Sequence, residues 1–288
     1  MNGRILVFGI VIVTGALAVG SAAYQEEPAT EVVRAAPSLS VNASIGPILP
    51  SVSAYGVFDP ADGRLLLANN PDEQLPVASI TKLISAMAVR DQFDLEQRTT
   101  LQWSDLNAVG VAGNLQYGQE YSYRELLFPL LLSSSNNAAL TFERRAQQQG
   151  MSLPEVMNEL VKRYGYGDMQ FKDASGLSVG NQATVRDLAG LIAATRDTYS
   201  YVYHISGLTS YVGPYMGWAN NSPFIEDDAY VAGKHGFTNA AGRTAVAIFR
   251  EIVNGVEVEI GYIILGSTDV SRDMAQLREQ TQNLAQWR

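Results

Sequence analysis

The chain has 288 residues, 47% of them hydrophobic and 17% charged, as expected of a globular protein able to bury a sizeable core. Its net charge of −9 and the lack of any basic run argue against nucleic acid, whose phosphates need clustered Lys and Arg. It has no cysteine, hence no disulfide or thiol nucleophile, and its two histidines, His204 and His235, fit no metal-ligand spacing.

Residues 1–23 begin "MNGR", continue as an apolar run from Ile5 and end on small residues, with Ser21 and Ala23 at cleavage positions. A single early charge, Arg4, followed by an apolar stretch is the pattern of an export signal. At about 1.5 Å per residue the run also nearly spans a bilayer core of roughly 30 Å, so an uncleaved N-terminal membrane anchor is the second reading. A buried core helix is the third. Either of the first two puts the body on the periplasmic or extracellular face of the cytoplasmic membrane. Residues 24–50 hold Pro28, Pro37, Pro47 and Pro50 without a sustained period and read as a linker.

The folded body is expected over 51–288. "SAYGVFD" and "RLLLANN" flank a Pro-Ala-Asp-Gly turn and predict a β-hairpin. "SITKLISAMAVRDQF" places Ile80, Leu83, Ile84, Met87 and Ala88 at helical spacing. "SYRELLFPLLLSSSNNAALTFERRAQQQ" predicts two helices joined at the serine run, with Pro129 disturbing the first. "SLPEVMNELVKRYG" predicts a helix capped by Ser152, with Pro154 and Glu155 in its first turn. "TVRDLAGLIAATRD" predicts another. "YVAGKHGFT", "RTAVAIFREIV" and "VEVEIGYIILGS" predict three strands, and 271–286 a closing helix. Strands at both ends around a helical middle give an α+β fold: one antiparallel sheet built from the two ends, with a helical subdomain.

Ser79 and Lys82 lie three apart at a helix start, so they share a face and can touch. A serine hydroxyl needs a base, and lysine serves only when burial or a nearby positive charge lowers its pKa. The plainer reading is that Ser79 caps a helix and Lys82 is solvated. Two more stretches bear on this. "LLLSSSNNAA" puts Ser134 and Asn136 after an apolar helical run, and "VAGKHGFT" puts Lys234 on a strand, with Gly236 allowing close backbone approach and Thr238 two residues on. Each alone is weak, since such runs often mark loops or strand ends.

Together, S-x-x-K, S-x-N and K-x-G form the serine penicillin-recognising set. The sequence resembles the low-molecular-mass penicillin-binding proteins, the serine D-alanyl-D-alanine carboxypeptidases and endopeptidases, over roughly residues 51–270. "PVASITKLISA", "VMNELVKRYGYGDMQFKDASGLSVGNQATVRDLAGL" and "VAGKHGFTNAAGRTAV" carry the likeness beyond the motifs. The resemblance implies the penicillin-binding protein/β-lactamase-like fold. It implies Ser79 as nucleophile, Lys82 as base, and Ser134 and Asn136 as proton relay and substrate positioners. It further implies Lys234, His235, Gly236, Phe237 and Thr238 as the substrate-binding strand, with the Ser79 and Phe237 N–H groups as oxyanion hole. The partners it implies are peptidoglycan peptides and β-lactams, with no cofactor and no metal; oligomeric state is open.

Two positions depart from the pattern. His235 stands where the family has Thr or Ser, and is expected either to strengthen carboxylate binding when protonated, to obstruct the site, or to point away from the cleft. Asn137 stands where Asp is common. A β-lactamase, with Glu155 as the water-activating carboxylate, and a non-catalytic wall-binding domain are the alternatives.

Overall fold

The computed structural model describes residues 39–41, 49, 51–110 and 113–287. The signal or anchor read at 1–23 lies outside them, as does most of 24–50. Two parts of that expected linker belong to the fold. Leu39–Val41 forms strand β1, and Leu49 is buried in the core. Among the described residues no helix is long and apolar enough to cross a membrane.

The predicted hairpin is β2 (Ala54–Phe58) and β3 (Leu65–Asn69). Its turn closes through Asp59 N to Arg64 O at 3.0 Å and Gly63 N to Asp59 O at 2.8 Å. The three late strands are β4 (Tyr230–Thr238), β5 (Gly242–Val253) and β6 (Val256–Ser267). Asn254 and Gly255, at φ of 52° and 81°, join β5 to β6 as a two-residue hairpin loop whose φ signs match strand twist. The five strands form one antiparallel sheet in the order β4-β5-β6-β2-β3, so the ends of the chain do build it together, with β4 at the edge.

Helix α1 (Thr81–Gln92) lies behind this sheet, buried along Thr81–Val89. Around it pack α2 (Tyr123–Leu131), α3 (Asn136–Gln148) and α4 (Leu153–Arg163), while α5 (Val185–Thr195) packs on β2 and β6; all four were predicted from spacing. Ser122, Ser135, Ser152 and Thr184 cap them by accepting a backbone N–H three residues on. Helix α6 (Ser200–Gly207) and a small hairpin, Ser210–Val212 with Gly217–Ala219, were not legible in the Tyr-rich stretch that encodes them.

The sheet separates two cores. Val246, Ile248, Ile263 and Leu265 face the helices, while Ala245, Ala247, Phe249, Ile260, Tyr262 and Ile264 face the closing helix α7 (Val270–Leu284). Burial on both faces is why β5 and β6 read as nearly continuous apolar runs. The closing helix stops two residues short of the expected 286. Ala285–Trp287 instead form strand β7, antiparallel to β1, with Leu39 opposite Trp287.

Candidate active site

Ser79 sits in a short 3₁₀ turn, Ala78–Ile80, that leads into α1. The helix-capping reading of Ser79 fails here: the cap position is Ile80, with no side-chain cap bond. The residue before Ser79, Ala78, has φ of 47°, a left-handed conformation costly for a residue with a Cβ. Ser134, in the loop between α2 and α3, is also left-handed at φ 60°.

Lys82, one turn further on, is wholly buried. Its Nζ reaches three oxygens: Ser79 Oγ at 3.0 Å, Asn136 Oδ1 at 2.7 Å and the Ser175 carbonyl at 2.5 Å. The Asn136 amide is oriented by its Nδ2, which donates to Val109 O at 2.6 Å. Burial above all, and then the positive Lys234, pushes the Lys82 pKa well below the ordinary lysine value, while Asp173 opposes the shift. An uncharged amine has two N–H donors and one lone pair. The Asn136 and Ser175 oxygens can only accept, so they take both N–H groups. The lone pair is left for the Ser79 hydroxyl, which is the arrangement a general base needs.

Lys234 lies on β4, buried, with Nζ donating to its neighbour's carbonyl, His235 O, at 2.8 Å. Burial lowers its pKa to about 7. Strand β4 passes directly against the nucleophile: a Cβ on Gly236 would stand 2.4 Å from Ser79 N. Only glycine permits that approach. Phe237 is 59% exposed, with the Arg243 guanidinium 5.4 Å from its ring centre. The Thr238 hydroxyl accepts from Ala241 N at 3.0 Å, holding the β4–β5 turn and leaving its O–H as a donor.

His235 requires correction. Lys234 pairs with Val246, of the helix-facing core, and His235 with Ala245, of the α7-facing core. Paired residues share a face, so the imidazole lies on the opposite side of β4 from Lys234. There it lines a cavity of about 430 Å³ with Asn221, Gly236, Arg243 and Asp269. Burial first, then the charges of Lys234, Arg243 and Lys82, hold its pKa at about 3. It is neutral at working pH, so the protonated carboxylate-binding role does not apply. Asn137 is buried in α3 with Oδ1 lacking a partner, at a typical cost of about 1–3 kcal/mol; the structure gives no reason for it.

The sequence reading missed the Ser175 carbonyl. Its signal was the Asp-Ala-Ser-Gly run, whose residues favour side-chain-to-backbone turns. Asn158 of α4 holds the entry to this loop, bonding Phe171 through both N (2.8 Å) and O (3.0 Å). Among the described residues no cluster of His, Asp or Glu is placed to hold a metal.

A sequence profile described as D-alanyl-D-alanine carboxypeptidase matches residues 49–258. The chain belongs to the D-alanyl-D-alanine carboxypeptidase family. It is a serine D,D-peptidase of low-molecular-mass penicillin-binding type, on the corresponding α+β fold. It is 29% identical over 224 residues to a D-alanyl-D-alanine endopeptidase of Escherichia coli K12, covering 74% of this chain and 71% of that one. The D-alanyl-D-alanine carboxypeptidase of Mycobacterium tuberculosis H37Rv superposes with TM-score 0.73 at 21% identity, over 84% of this chain and 94% of the other. Penicillin-binding protein D2 of Listeria monocytogenes, solved with cefotaxime bound, superposes with TM-score 0.68 at 23% identity, over 80% and 95%. The three motifs read in the sequence lie on elements in contact here: the start of α1, the α2–α3 loop with the first residue of α3, and edge strand β4.

Proposed function

We propose that this D,D-peptidase cuts D-alanyl peptide bonds of peptidoglycan through an acyl-enzyme on Ser79. The observation that carries the residue roles is the Lys82 amine, buried between two obligate acceptors and the one hydroxyl able to give it a proton. Lys82 takes the Ser79 proton as Oγ bonds to the carbonyl carbon of the D-alanyl residue on the acyl side of the bond. The C–N bond then breaks and the proton passes to the leaving amine, with Ser134, two residues before Asn136, as the proposed relay. Water reverses the sequence and releases the acyl group. The backbone N–H of Ser79, facing Gly236, and that of Phe237 receive the oxyanion. Lys234 attracts the substrate's carboxylate, and Thr238 donates to it.

Among cleavable bonds we favour the cross-link, hence endopeptidase action, because the Escherichia coli K12 relative that matches 74% of this chain is a D-alanyl-D-alanine endopeptidase. We also propose that residues 1–23 export the chain, leaving the catalytic body outside the cytoplasmic membrane and N-terminally tethered or released. The β-lactamase reading loses its carboxylate. Glu155 lines a surface cavity with Gln92, at the far end of α1 and about 15 Å along the helix from Lys82. No carboxylate among the described residues hydrogen-bonds Ser79 or Lys82.

The test is covalent labelling of the full-length protein by a fluorescent penicillin, followed by incubation with cross-linked muropeptides and with a pentapeptide. Ser79→Ala should abolish labelling, wild type should split the cross-link, and nitrocefin should turn over slowly. Labelling that survives Ser79→Ala defeats the nucleophile assignment. Release of D-alanine from the pentapeptide alone defeats the endopeptidase choice.

A further inference from the structure

Residues 173–178 form a loop between α4 and α5 that carries none of the three motifs, yet its Ser175 carbonyl makes the shortest contact to Lys82. The loop is built around one side chain. Asp173 Oδ1 accepts from Ser175 N (2.8 Å), Ser175 Oγ (2.8 Å), Gly176 N (2.6 Å) and Leu177 N (3.3 Å). Its Oδ2 accepts from Ser178 N at 2.6 Å. Four successive N–H groups converge on one carboxylate, and this convergence turns the Ser175 C=O outward. The loop is also locked from outside. Asn181 donates to Thr81 Oγ1 of α1 at 3.1 Å and to Asp173 O at 2.9 Å. Glu143 of α3 accepts from Ala174 N at 2.5 Å. Gly176, at φ 87°, packs so closely that a Cβ would lie 2.0 Å from Ala78 O.

We infer that Asp173 is a positioning residue of the reaction: its carboxylate gathers the backbone of residues 175–178 and so aims the Ser175 carbonyl at Lys82 Nζ. That carbonyl takes one of the two N–H groups of the uncharged amine, and so fixes its lone pair on Ser79. The inference rests on the reading of Lys82 as base. Asp173 also acts through its charge. The charged groups bearing on Lys82 are Lys234 from β4, which lowers its pKa, and Asp173, which raises it. Glu143 from α3 faces the Ala174 N–H, and His235 is neutral on the far side of β4.

These two roles of Asp173 have opposite signatures, which makes the test specific. Asp173→Asn loosens the carbonyl and slows acylation, and it also removes a negative charge, which lowers the Lys82 pKa. The acylation rate of the full-length protein by fluorescent penicillin, followed against pH, should drop at least about tenfold on its plateau. Its acid limb should move to lower pH. A limb that stays in place or moves up overturns the inference, as would an unchanged rate. Ser175→Ala is a milder second variant. It keeps the carboxylate and the carbonyl but removes the Ser175 hydroxyl's bond to Oδ1 and the one it accepts from Leu177 N at 3.2 Å, so acylation should slow about threefold to tenfold at every pH with the limb unmoved. A wild-type rate there also overturns the inference, even where Asp173→Asn fails to fold. Lys82→Ala separates the two readings. Acylation at the wild-type rate in that variant brings down the base assignment and this inference together. Loss of acylation there, with an unmoved limb in Asp173→Asn, brings down this inference alone.

Discussion

Lys82 helps Ser79 only while uncharged, and the residues that hold it so come from different parts of the chain. Burial supplies the largest push, Lys234 the next. A group whose folded pKa is lowered remains in its basic form to lower pH, so the acid limb of acylation should lie well below the range of an ordinary lysine and acylation should fall as pH drops through the Lys82 value. Removing the Lys234 charge raises the Lys82 pKa. Lys234→Gln should therefore move the acid limb of kcat/KM to higher pH and raise KM for a carboxylate-bearing substrate, as read from a pH series. It should also abolish any alkaline fall near pH 7, where Lys234 itself loses its charge. A limb moving the other way would exclude Lys234 as the partner charge. The histidine that stood out in the sequence has no part in this titration. Held neutral with a pKa of about 3, it adds no inflection between pH 5 and 8.

At the scale of elements, the site is three pieces pressed together: the strained turn before α1, the α2–α3 loop and strand β4. Pro129, seventh in α2, cannot donate to the helix, and its own carbonyl accepts from Ser135 N at 2.8 Å, which folds the serine loop back on the helix end. Gly236 sets the distance between β4 and the nucleophile. Gly236→Ala forces the Cβ against Ser79 N, and the edge strand must retreat by a fraction of an ångström to about one. Misplacement of that size costs on the order of 10² in rate, so acylation should fall about 10²-fold while the thermal midpoint changes little. Parallel stopped-flow labelling and a melting curve check it. Equal losses in both would mean that the substitution unfolds the sheet rather than opening the cleft.

For the whole molecule, the sheet is a partition with chemistry on one side and a sealing helix on the other. Leu277 and Met274 of α7 are buried against Phe249, Ile260, Tyr262 and Ile264, on the face away from Lys82. Leu277→Ala should cost about 2–5 kcal/mol, measured by urea unfolding, because a buried leucine leaves a cavity behind. Acylation per folded molecule should stay at the wild-type value. A change in that rate would mean that the sheet transmits strain between its faces. The pairing of β1 with β7 joins the segment after the N-terminal region to the last residues of the chain.

The sequence by itself determined the elements with a clear period, their caps and the α+β order, and it singled out the side chains proposed to react. Helical spacing, cap residues and the three motifs are local signals, and local physics honours them. It did not place Leu39–Val41, whose short strand has no partner until Ala285–Trp287 arrives from the other end of the chain. Nor did it give the face on which His235 lies, since the register of β4 against β5 is fixed by which neighbours are buried. The Ser175 carbonyl was equally hidden, because a backbone oxygen has no letter of its own. Its direction arises only when Asp173 collects the surrounding N–H groups and α1 closes against them. The nucleophile could be read from Ser79 and Lys82 three residues apart, but what makes that lysine a base is a burial and a charge pattern that exist only in the folded chain.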